Sequence, residues 1–130
     1  MKRAPLLTAF SSLLAASLLG QFAPNDITES PDQQRYSLSA YQAGHYDAEK
    51  DMRENRFVIE DHGLPPPCYA DYAKLLDERY HIQLKMVAGC VADERIVGHE
   101  KGYNEVSIAE IQRRFGGNVL EKTKAEACSR

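Results

Sequence analysis

Tryptophan is missing from this sequence of 130 residues, cysteine occurs only three times, and lysine and arginine nowhere form a run. Without a basic patch, the phosphate contacts that dominate nucleic-acid binding have no counterpart, so no nucleic-acid partner is expected. A formal charge of −3 at pH 7 argues against an anionic lipid surface as well. Also absent are Cys-x-x-Cys, His-Glu-x-x-His, Gly-x-Ser-x-Gly and the glycine-rich phosphate and dinucleotide loops. Each of these sets a nucleophile, a metal-ligand pair or a phosphate cradle at fixed spacing, so the common catalytic and cofactor chemistries lack their signatures. The four histidines, His45, His62, His81 and His99, share no i, i+4 pair, and no metal site is assigned. No catalytic residue and no cofactor follow from the sequence. Internal repeats and low-complexity tracts are absent too, so nothing divides the chain into several domains.

What is present begins with an export signature. Lys2 and Arg3 precede 17 uncharged positions, Ala4 to Gly20, that carry six leucines and end in small residues. A charged start, an apolar middle and a small-residue end describe a secretory signal peptide. A spanning helix wants about 20 apolar residues, and this run is interrupted by Pro5, Thr8, Ser11, Ser12 and Ser17. Residues 1–20 are therefore read as a cleaved signal, and no membrane contact is expected afterwards. No cysteine follows to carry a lipid. Loss of Lys2 and Arg3 takes the formal charge to −5 and leaves 110 residues outside the cytoplasm, periplasmic or secreted. Residues 21–35, polar and broken by proline, read as a flexible leader, and 36–127 as a single disulfide-stabilised α/β domain.

Within that domain the hydrophobic spacing alternates between helical and extended. Leu38, Tyr41, His45, Ala48 and Met52 recur at three- and four-residue steps, one face of a helix over about 37–55. Gly44 inside it costs about 1 kcal/mol relative to alanine, which close packing would explain. Phe57-Val58-Ile59 is a β-prone run within 56–60, followed by Gly63 and three prolines that stop any ladder. A helix over 68–80 and a strand over 82–88 come next. Residues 93–115 read as one helix or two, because Ser107 and Glu110 fit a capping box that would start a new helix there. Gly116-Gly117 ends it, and Asn118 opens a short last helix to about residue 127. Strand, helix and strand in this order most often make a right-handed parallel crossover. The expected fold is thus a small, helix-rich α/β domain, one βαβ-like unit of two short strands flanked by three to four helices.

The cysteines and the candidate site follow from that topology. In a crossover, the start of the helix and the far end of the second strand share one edge, so Cys68 and Cys90 are the expected disulfide. Their 22-residue loop would contribute about 3 kcal/mol. Cys128, near the end of a polar tail, is left free or able to link two chains as a homodimer. Ligands of open α/β sheets sit outside the carboxyl ends of strands, which brings Asp61, His62 and Gly89 to one rim. Tyr103 and Asn104 join them as candidates, because the stripe Val97, Asn104, Ile108, Ile111 and Phe115 turns Asn104 toward the core, where a polar side chain needs partners. Asp61-His62-Gly63 as a solvated turn, and Asn104 as a structural hydrogen-bonder, are the bland alternatives. The function expected is a non-enzymatic binding module taking another protein or a small ligand in the envelope. The alternatives are a small envelope hydrolase with His62 as base, and a self-associating structural subunit.

Overall fold

The computed structural model of this chain describes residues 30–129. The 1–20 signal and residues 21–29 of the leader lie outside them. Six elements follow in order: α1 (Pro31–Arg53), β1 (Phe57–His62), α2 (Tyr69–Tyr80), β2 (Ile82–Ala88), α3 (Glu94–Phe115) and α4 (Val119–Cys128). This is the small helix-rich α/β fold with a two-stranded parallel sheet. No helix among the described residues is long and apolar enough to cross a membrane.

Helix α1 begins at Pro31, so residues 31–35 belong to the helix and not to the leader. Proline fits a first helical position, where its missing N–H would have had no intrahelical acceptor. Asn55, with φ 56°, turns the chain from α1 into β1. Strand β1 runs past the apolar triplet through Asp61 and His62, which pair with Met86 and Ala88 of β2. The register skips Val87, a bulge at the end of the sheet. Gly63 stops β1 at φ 100°, a left-handed conformation that glycine tolerates, and its N–H donates to the carbonyls of Ala88 and Gly89 at 3.2 and 3.1 Å.

Residues 94–115 form one uninterrupted helix, capped by the Asp93 carboxylate, which accepts from the Ile96 N–H at 2.8 Å. The expected break at Ser107 does not occur. Ser107 is fully buried, and its hydroxyl donates to the Val58 carbonyl on the outer edge of β1. Glu110, the other half of the supposed capping box, pairs with Arg113 and Arg114. The serine serves tertiary structure, which a local motif could not reveal.

One core joins every element: Met52 from α1, Phe57 and Ile59 from β1, Leu76, Ile82, Ile111 and Val119. Phe57 meets Phe115 edge to face at 5.4 Å, and the Arg114 guanidinium lies 4.9 Å from the Phe57 ring centroid. Outside this core, α1 is fastened to α3 by polar bonds: Tyr41 to Glu105 at 2.6 Å, and Tyr103 to Asp51 at 2.6 Å.

The disulfide is not the expected one. Cys68, ahead of α2, is bridged to Cys128 at the end of α4, and Cys90 is a free, exposed thiol in the β2–α3 turn. The tail is not a solvated one: Val119, Thr123 and Ala127 are buried, so α4 docks and carries Cys128 to the start of α2. A bidentate pair, Arg79 with Glu126 at 2.6 and 2.7 Å, adds to the α2–α4 contact. Cys128 therefore has its partner within the chain and is not available to link two copies. An intramolecular bridge is compatible with an oxidising compartment.

Candidate functional site

A cleft of about 570 Å³ opens between the N-terminal half of α1, the start of α3 and the end of β2. Its apolar wall comes from Ala40 and Ala43 of α1, Ile96 of α3, and Met86 with Val87 of β2. Lys85 lines it as well. Consecutive strand residues point to opposite faces, so a wall made of Lys85, Met86 and Val87 includes the edge of the strand itself. Arg95 stands at the cleft with no ion-pair partner among the described residues.

The polar end of the cleft is built on Glu60. This residue is only 3% exposed. A carboxylate removed from water needs compensating charge. Parallel register sets Lys85 beside it, with Nζ 3.0 Å from Oε1. From α3, His99 brings Nδ1 to 2.9 Å from Oε2, while its Nε2 lies 3.2 Å from Asp47 of α1. Both ring nitrogens thus face carboxylates, so His99 joins Glu60 to α1 and has no free lone pair aimed at a substrate.

The five sequence-derived binding candidates separate. Asn104 is the structural hydrogen-bonder: its Oδ1 accepts from the Glu60 N–H at 2.9 Å, and its Nδ2 donates to the Glu60 carbonyl at 2.7 Å. With Ser107 it completes the outer edge of β1, as a neighbouring strand would. Tyr103 is buried and donates to Asp51. Burial, then that bond, raises its hydroxyl well above the usual range and keeps it a neutral donor. His62 is engaged by Glu100. Asp61 accepts from the His62 N–H at 2.9 Å and lines a separate pocket of about 50 Å³ with Tyr69, Tyr72 and Lys124. That space suits a water or two and no larger ligand. Gly89 is exposed beyond β2. None of the five lines the 570 Å³ cleft.

His62 and His99 take different carboxylates, Glu100 and Glu60. Among the described residues no group of three histidine, cysteine or acidic side chains is arranged to hold a metal ion.

Sequence reasoning passed over Glu60 and Lys85 because each looks like the solvated position of a short strand. The usable signal was their pairing. Once the two strands are aligned in parallel from Phe57 and Ile82, an acidic and a basic residue fall side by side. Comparison with protein-family models, with curated proteins and with solved structures finds no match.

Proposed function

We propose that this protein is an exported, non-enzymatic binding module whose ligand site is the cleft between α1, α3 and the edge of β2. The observation that supports this most is the state of its polar end. Glu60 is paired with Lys85 and bonded to His99, and both His99 ring nitrogens lie against carboxylates, so among the described residues no histidine nitrogen is turned into the cleft as a general base. What it presents is an apolar wall of ligand-sized volume with Arg95 at its side, a cation with no ion-pair partner among the described residues. That combination suits an anionic group joined to an apolar body. His62 offers an enzyme less, being paired with Glu100 and outside the cleft. Release to the periplasm or medium fits the charged-then-apolar N-terminus and the intramolecular bridge.

The test is a titration of isotope-labelled protein at pH 7 with amphipathic anions, decanoate and acetylated acidic octapeptides, with decylamine as the cationic control. Amides of Ala40, Ala43, Ile96 and His99 should shift with one of the anions and not with decylamine. Failure of every anion to move them removes this reading.

A further inference from the structure

We propose that the outer edge of β2 receives an extended, acidic segment of a partner protein as an added strand, with one side chain of that segment seated in the cleft. The inference rests on reading the cleft as a binding site, and it names the occupant.

The two edges of the sheet are treated differently. On β1, Asn104 and Ser107 bond the main-chain groups of Glu60 and Val58. On β2, no main-chain group from Ile82 to Met86 bonds to any element other than β1 among the described residues. Register dictates which groups stand free. Val58 and Glu60 address α3, so Phe57, Ile59 and Asp61 address β2; the parallel pairing then engages Gln83 and Lys85 and turns Leu84 and Met86 outward. Those outward N–H and C=O groups border the cleft, which Lys85, Met86 and Val87 help to line. Peptide recognition by strand addition has these two parts: main-chain bonds for affinity and a pocket beside the edge for alternate side chains.

Charge selects the occupant. Lys85 is the middle residue of β2 and its side chain is 61% exposed, with one carboxylate oxygen on its ammonium group among the described residues. Arg95 adds a second cation. A second copy of this chain is a poor fit, because antiparallel pairing of β2 about a twofold axis sets Lys85 against Lys85. An acidic strand meets both cations instead.

The full-length exported protein is titrated with two pools of acetylated octapeptides in which valine, isoleucine or threonine alternates with either aspartate and glutamate or lysine and arginine. The acidic pool should bind at least about tenfold more tightly. It should shift the amides of Leu84 to Val87 and slow hydrogen exchange at Leu84 and Met86. N-methylation of alternate peptide residues should weaken binding about tenfold by removing main-chain donors. Arg95→Glu should do the same with an unchanged melting temperature. Equal binding of the two pools, or of the N-methylated peptides, overturns the proposal. So does binding of decanoate with no binding of peptide, which leaves the cleft a small-molecule site; silence of every probe removes the binding reading as well.

Discussion

Gly44 of α1 and Gly102 of α3 pack reciprocally into each other's helices. A Cβ on Gly44 would stand 2.0 Å from the His99 carbonyl oxygen, and one on Gly102 would stand 2.0 Å from that of Tyr41. The backbones meet because neither position has a side chain.

Gly44→Ala and Gly102→Ala should therefore destabilise the protein, against the usual gain of about 1 kcal/mol for alanine over glycine in a helix. Overpacking against main chain, which cannot step aside, should leave a net loss of about 1–3 kcal/mol. Urea denaturation measures it, and an alanine variant as stable as the parent would contradict the close approach.

Opening the Cys68–Cys128 bridge releases a constraint spanning 60 residues of sequence. Chain entropy gives this about 4 kcal/mol, more than the 22-residue Cys68–Cys90 loop would have given. Cys68→Ser and Cys128→Ser should lower the melting temperature alike, and Cys90→Ser should not. In the native, unreduced protein an alkylating reagent should modify Cys90 alone, read by peptide mass.

Asn104→Ala strands both main-chain groups of Glu60 at the sheet edge. Each buried polar group left without a partner costs about 1–3 kcal/mol, so a loss of roughly 2–6 kcal/mol is expected. Leu at the same position should be no better, because the amide supplies both a donor and an acceptor. Calorimetric melting of the two variants checks this; a loss below 1 kcal/mol, well under the expected range, counts against the edge-capping role.

Acid should loosen the α1–α3 contact through Asp51. Burial raises its affinity for a proton, but bonds from Tyr103 and Arg56 prevail and hold it below its ordinary value. Its stabilising contribution is complete above the ordinary carboxylate range and is lost as pH falls through the depressed value. Glu110, held down to about 2 by Arg113 and Arg114, behaves in the same direction. Asp51→Asn should therefore flatten the fall of melting temperature between pH 5 and pH 2. A parallel curve for the variant would show that Asp51 plays no part.

Alkali acts through Tyr103. Its raised value means that the stability it contributes is present below the ordinary tyrosine range, near pH 10, and is lost as pH rises toward the folded value. Absorbance of ionised tyrosine should show a group, removed by Tyr103→Phe, that titrates only with unfolding; its titration in the folded protein would contradict the burial.

Legibility in the sequence followed the range of the interaction. Phe57-Val58-Ile59, the prolines after Leu64 and the glycines at 63 and 116 act on their immediate neighbours, so the strands, their order and most helix ends could be read directly. Gly44 was readable as a close-packing position, though its partner was not. Ser107 misled, since Ser-x-x-Glu is the same string whether the hydroxyl caps a helix or reaches a strand. Asn104 was placed toward the core by its stripe, while its two bonds to Glu60 depended on α3 lying along β1.

The sequence by itself determined the alternation of helix and strand, the helix-rich α/β class and the acidic, cysteine-poor character of the chain, because periodicity and turn chemistry act over a few residues. Only the tertiary structure decided that Cys68 meets Cys128, that Glu60 is buried between Lys85 and His99, and that a cleft opens beside β2. Those outcomes depend on how α4 docks and where α1 crosses α3, and packing between segments distant in sequence leaves no local pattern from which to read them.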